Sequence, residues 1–372
     1  MMTNPNRRTF IKKSTALAAL SATGLSGHGE SSTAKTPIDW PVTEGEDTPK
    51  LTLNCPFNAN RQRMRMIKQI GADHVLMSGP RIPWVEKDLR AAVDRFQEEG
   101  LSIINMMISG FPNVIRGSEG RDAEIEQVQA SLRAAGAIGL PVVEYNFYAH
   151  RLTEGYYHVE GRGGAGYLGY DYHRQNEEGV APKDLGPLPG AGSYTREELW
   201  ENLTYFLKAV IPVAEEAGVR MALHPNDPPA AVSRGSEQIM ATFADWKRLI
   251  DTVDSVSNGM TYDCGVSHEI GENPLEVLDY LSSRDRINHV HYRNCIVEIP
   301  AEKYVEVFND EGNVNMFEVM RELVKRKYRL GLFPEHPRKL DFDAAHPGGG
   351  DHAGYIYNMA YTRGMLQAVL SL

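Results

Sequence analysis

The chain is expected to fold as a single-domain α/β protein, a (β/α)8 barrel, and three observations lead there. From Leu51 onward, short apolar runs alternate with stretches whose apolar residues recur every three or four positions. Eight such short runs can be counted as strands. The turn after the first strand, Cys55-Pro56-Phe57-Asn58, also lacks the glycine-rich phosphate loop usual at that point in a doubly wound sheet.

The expected strands are Leu51–Cys55, His74–Met77, Ser102–Met106 and Pro141–Tyr145, then Arg220–His224, Gly259–Cys264, Ile287–His291 and Leu330–Phe333. Each is short, apolar and bounded by turn residues. The spacing between them predicts helices over Asn60–Ile70, Val85–Glu98, Ala123–Ala137, Glu197–Ala217, Glu237–Val253, Met316–Lys325 and Tyr355–Leu370. Alternation of this kind implies parallel strands with right-handed crossovers. Eight units favour closure, because an open sheet leaves two edges to protect. The stretch Ala149–Ser193 is dense in Gly, Tyr and His, is read as irregular, and follows the fourth strand. In a barrel it lies over the mouth, where it is expected to act as a lid.

Composition narrows the function. The chain has 372 residues, with 42% hydrophobic and 24% charged, as in ordinary soluble domains. A net charge of -10 argues against a general nucleic-acid binder, and no apolar run is long enough for a membrane span. Three cysteines, Cys55, Cys264 and Cys295, make no disulfide framework. The run Asn6-Arg7-Arg8-Thr9-Phe10-Ile11-Lys12-Lys13, followed by a mildly apolar segment, resembles a twin-arginine export signal. Residues 1–49 are therefore read as an export signal and disordered linker, residues 50–372 as the catalytic barrel, and the protein as exported to the periplasm.

In a barrel, reactive side chains project from the C-terminal ends of the strands. Strands five to eight end at His224, Cys264, His291 and Glu335-His336, all residue types that bind transition metals. Each alone has an ordinary reading: a hydrogen-bonded His, a small buried Cys, a helix-start Glu. Four on consecutive strands point to a metal site, and the ligand types admit Mn, Fe(II), Co or Zn. His289 shares a face with His291 and is read as filling the barrel. Asp263 is expected to face outward. His268 and Glu269 are minor candidates for substrate contact. Arg293 and Arg338, just past strands seven and eight, suit bidentate pairing to a carboxylate, or an ordinary loop ion pair.

At these residues the sequence resembles mannonate dehydratase, of the xylose-isomerase-like TIM barrel group. The block His224-Pro225-Asn226-Asp227-Pro228-Pro229 carries most of the likeness. Pro141 to Phe147, Gly265 after Cys264, His291-Tyr292-Arg293, Glu335-His336, Gly354-Tyr355 and Arg363-Gly364 follow in family order. The resemblance implies a divalent metal, Mn2+ or Fe2+, on His224, Cys264, His291 and Glu335, with His336 and Tyr355 catalytic. Arg293, Arg338 and Asn146 are then the substrate-binding candidates. The implied reaction removes water from a sugar acid, D-mannonate, to give 2-keto-3-deoxy-D-gluconate. Three features depart from the family. Glu335 stands where it usually has Asp, Asn313 and Asn315 replace an acidic pair, and an export signal is unusual for it. A sugar isomerase or epimerase of the same barrel group is the alternative enzyme, and a non-catalytic sugar-acid binder is the third reading. The expected partner is a small-molecule sugar acid, and homo-oligomerisation is left open.

Overall fold

A computed structural model describes residues 40–345 and 352–372; the arginine pair and the segment after it lie outside the described residues. The barrel strands are Lys50–Asn54, His74–Ser78, Ser102–Ile108, Val142–Tyr145, Arg220–Leu223, Asn258–Asp263, Ile287–His291 and Gly331–Phe333. They are parallel neighbours in chain order, and the first pairs with the eighth to close the barrel. Buried on both faces, such strands read as near-continuous apolar runs, as Met221-Ala222-Leu223 does.

Pro41–Leu372 forms one compact unit. Residues expected as linker are already packed: Thr48 is buried, the Val42 carbonyl accepts from Gln367 Nε2 at 2.9 Å, and Asp47 pairs with Lys327 at 3.0 Å.

The helices start where side chains can satisfy their free N–H groups. Asn60 caps Arg61–Ile70, Thr195 and Glu198 form a capping box for Arg196–Ala217, and Thr242 caps Phe243–Thr252. Asn315 caps Met316–Lys325 by accepting from the Glu318 N–H, which gives one of the two departing asparagines a structural role. The helix expected over Glu237–Val253 is shorter than its pattern. It runs over Phe243–Thr252; Glu237 instead ends a hairpin, Val232–Ser233 with Ser236–Glu237, turned by Arg234 (φ 50°) and Gly235 (φ 76°), and residues 238–242 are irregular. A helix over Pro274–Ser282, started by Asn273 and Pro274, was not anticipated.

The stretch after the fourth strand is irregular only in part. Tyr156–Glu160 and Gly166–Asp171 form an antiparallel hairpin. It continues through Lys303–Val307 to Asn294–Ile299, giving a four-stranded sheet built from the segments after barrel strands four and seven. This sheet, called the lid sheet below because it contains the stretch expected as a lid, buries Tyr170 and Tyr304, whose rings pack 5.2 Å apart.

Candidate metal centre and active-site cavity

Barrel register brings the candidate ligands to one level. Asp263 pairs across from His291, and His291 from Phe333. The Glu335 N–H then donates to the Phe333 carbonyl, and the His224 N–H to the Tyr145 carbonyl. One ligand atom from each of His224, Asp263, His291 and Glu335 lies within 4.8 Å of all the others. His224 Nε2 and Glu335 Oε1 each stand 3.0 Å from His291 Nδ1, and Asp263 Oδ2 is 3.8 Å from it. Two imidazole nitrogens and two carboxylates converging in a buried space suit a divalent cation of hard to borderline character.

Three of the four expected ligands thus come together, and Cys264 does not join them. The strand ends at Asp263, and Cys264 opens the helix Cys264–Glu269. Its buried thiol donates to the carbonyls of Arg293 at 3.2 Å and His291 at 3.4 Å, and burial pushes it well above the ordinary thiol range. Strand parity explains the exchange. Thr261 reaches Glu144 inside the barrel at 2.7 Å, whereas the Tyr262 hydroxyl donates outward to the Pro274 carbonyl. Asp263 shares the inward face of Thr261, contrary to the outward orientation expected of it. The bulky Tyr262 beside it was the signal that could have found this.

Arg293 is likewise not the open substrate cation the sequence suggested. Only 2% exposed, it meets Asp263 and Glu335 through Nε (2.9 and 3.1 Å), Glu269 through Nη1 (2.6 Å) and Asp227 through Nη2 (3.2 Å). It neutralises carboxylates that would otherwise repel one another. Gly265 makes room for it, since a Cβ there would come within 2.8 Å of Arg293 Cγ. Arg338 is buried too, spanning Glu306 Oε2 (2.8 Å) and the His336 carbonyl (2.6 Å). Glu269 is fully buried on Arg293, and His268 lines a different cavity beside Asn313. His289 is fully buried, with both ring nitrogens lacking a hydrogen-bond partner.

His336 adopts a left-handed backbone, φ 46°, which costs about 1–2 kcal/mol outside glycine. Its Nδ1 lies 2.8 Å from Glu306 Oε2, on a lid strand, and its Nε2 is 3.6 Å from Glu335 Oε2 and 3.9 Å from Asp227 Oδ2. Burial pulls its pKa down, but Glu306 and Glu335 outweigh that and raise it to about 9. His291 behaves the same way: burial opposes, Glu335 and Glu144 prevail, and its pKa rises to about 9. Burial also works against ionised Glu335, yet His291 and His336 hold it well below the usual carboxylate range.

Two cavities share Glu335 and His336 in their walls. One, of about 400 Å³, is also lined by His224, His291, Asn146 and Arg151. The other, of about 650 Å³, is lined by Tyr355, Glu306 and Arg338. Asn146 is half-buried at the first cavity, 3.7 Å from Met107 Sδ. Tyr355 stacks on Phe333 with centroids 6.0 Å apart. Gly354 permits this close docking of the last helix, because a Cβ would sit 2.4 Å from the Arg338 carbonyl. Asp227, Glu306, Glu144, Asp263 and Arg151 are thus site residues that sequence reasoning missed.

A closed parallel barrel with imidazoles and carboxylates gathered at the ends of strands five to eight defines an enzyme of the metal-binding (β/α)8 class. Comparison with known proteins narrows this. Residues 192–371 match the family model for D-mannonate dehydratase (UxuA). A mannonate dehydratase of Streptococcus suis is 31% identical over 309 residues, covering 77% of this chain and 83% of that one. One from Enterococcus faecalis is 29% identical over 318 residues, covering 77% and 86%. The crystal structure of mannonate dehydratase from Streptococcus suis serotype 2 superposes with a TM-score of 0.75 at 27% identity, covering 87% of this chain and 95% of that one. A 3-keto-D-glucoside 4-epimerase from E. coli, 16% identical with a TM-score of 0.53, covers 85% of this chain and 100% of that one and shares the fold. The chain belongs to the mannonate dehydratase family.

Proposed function

We propose that this chain is a hydro-lyase that converts D-mannonate to 2-keto-3-deoxy-D-gluconate, with a divalent metal held by His224, Asp263, His291 and Glu335. The observation that carries the proposal is the convergence of those four side chains at the mouth of a barrel of this family. With a carboxylate in place of the expected thiolate, the donors are two nitrogens and two oxygens, a harder set that favours Mn2+ or Fe2+ over thiophilic metals. When bound, the metal supplies Lewis acidity that lowers the cost of negative charge beside the substrate carboxylate.

The chain's own groups do the rest. A proton leaves C2, the C3 hydroxyl departs as water once protonated, and the resulting enol becomes the 2-keto acid. His336 is oriented for the second of these transfers. Glu306 takes its Nδ1–H, so the protonated Nε2 is left to donate to the departing hydroxyl. Tyr355, sharing a cavity wall with His336, is the second proton-transfer group. Arg293 and Arg338 act as positioning residues, holding the carboxylates around the metal and around His336.

The test is to incubate Mn-loaded protein with D-mannonate and follow the product by NMR. A new methylene at C3 that disappears with chelator and returns with metal supports the dehydratase. A product that keeps every oxygen moves the assignment to an isomerase or epimerase. The Arg7-Arg8 pair leads us to propose a periplasmic location, tested by fractionating cells that carry the natural chain or an Arg7→Lys/Arg8→Lys variant.

A further inference from the structure

An aldonate brings its carboxylate into a site already crowded with acidic groups, so a protein cation beside the metal would favour its entry. The two arginines nearest the cluster are committed elsewhere, Arg293 to four carboxylates and Arg338 to Glu306. Arg151 is different. It lines the same cavity as His224, His291 and His336, and among the described residues it makes no hydrogen bond or ion pair with a carboxylate. Its charge reaches Tyr148, also in the cavity wall, whose hydroxyl is pushed up by burial and partly drawn back by this guanidinium.

Among the described residues, the local structure leaves Arg151 without an ion-pair partner. The nearest acidic side chain in sequence, Glu154, is taken by Arg234 Nε at 2.6 Å and lies 3.5 Å from His150 Nε2. The residues on either side are pinned. The His150 carbonyl accepts from Ser233 Oγ at 3.1 Å, and Leu152 is buried with Tyr170 and Tyr304 under the lid sheet. With its neighbours fixed, Arg151 stands at the cavity wall as an exposed, uncommitted fork of donors.

We propose that Arg151 is the substrate-binding residue that receives the aldonate carboxylate, and so sets the preference for sugar acids over neutral sugars. This rests on the sugar-acid reading above. The planar guanidinium pairs with both carboxylate oxygens, which a neutral polyol cannot reproduce.

Titration calorimetry of D-mannonate and D-mannitol into the full metal-loaded protein tests it, with turnover measured in parallel. Loss of charge-assisted hydrogen bonds should weaken D-mannonate binding by about 10- to 100-fold in Arg151→Ala. Arg151→Lys should recover part of that, and whatever weak affinity D-mannitol has should not change. D-mannonate binding that is equally tight in Arg151→Ala, or absent from the natural protein, overturns the assignment. Binding that depends on Arg151 in a protein that forms no keto-deoxy acid keeps this inference and removes the dehydratase reading instead.

Discussion

His336 Nδ1 lies 2.8 Å from Glu306 Oε2, so the imidazole facing the ligand cluster is held by a carboxylate from the lid sheet rather than from the barrel. That sheet and the imidazole proposed to transfer a proton are therefore joined by a direct contact. His336 makes this contact from a left-handed backbone, a conformation that is costly outside glycine.

Replacing Glu306 with Gln keeps the shape but removes the charge that orients and protonates His336. The variant should lose on the order of 10- to 100-fold in kcat, part of the 10²–10⁴ that acid–base catalysis supplies, with KM little changed. Steady-state kinetics beside a thermal melt make the check. An unaltered kcat in a folded variant would show that the contact with Glu306 is incidental.

The exchange of Asp263 for Cys264 yields a paired prediction. Cys264→Ala should retain its metal and cost about 1 kcal/mol of stability for the emptied volume, because the thiol only meets backbone carbonyls. Asp263→Asn should weaken metal binding by more than the roughly 10- to 100-fold typical of a supporting residue. Metal content by mass spectrometry, with chelator competition, separates the two. Loss of metal in the cysteine variant alone would restore the thiolate as ligand.

The eight strands were legible because parallel strands buried on both faces declare themselves as apolar runs, and register then sets His224, His291 and Glu335 side by side. What escaped was set by parity and distance. A one-residue difference in where the sixth strand ends moved the inward position from Cys264, where it was expected, to Asp263. Glu306 could not be read at all, since its strand is defined by pairing with Gly166–Asp171, far away in sequence. Arg293 beside His291 fitted either a substrate clamp or an ion pair. Only the fold, by folding Asp227 and Glu269 onto it, decides for the ion pair.

Glu144 offers a prediction about the metal's outer surroundings. This fully buried carboxylate accepts from Thr261 and Asn105, and its Oε1 lies 3.5 Å from His291 Nε2, on the ring's far side from Glu335. It favours a proton on Nε2 and leaves the Nδ1 lone pair for the metal. Glu144→Gln should lower metal affinity about 10- to 100-fold while leaving the fold intact. Nitrogen NMR of His291 reads the tautomer directly. Affinity and tautomer both unchanged would reduce Glu144 to a filler of the barrel.

The raised pKa of His291 makes metal binding and metal-free stability run in opposite directions with pH. Without metal, the folded state holds the His291 proton up to about 9, against an ordinary value of 6.5. That contribution to stability is fully present below about 6.5 and is lost as pH rises through about 9. The metal-free protein should therefore melt at progressively lower temperature across this window. The metal needs the same nitrogen unprotonated, so its apparent affinity should rise by about tenfold per pH unit over the range and level off above it. His336, raised to about 9 by Glu306 and Glu335, adds to the first trend. It adds to the second only so far as metal binding relieves Glu335. Thermal melts of chelator-treated protein and chelator competition, both from pH 6.5 to 9.5, make the measurement. Stability that climbs with pH in the metal-free protein, or affinity that is flat, would mean that His291 is already neutral and that Glu335 and Glu144 do not govern it.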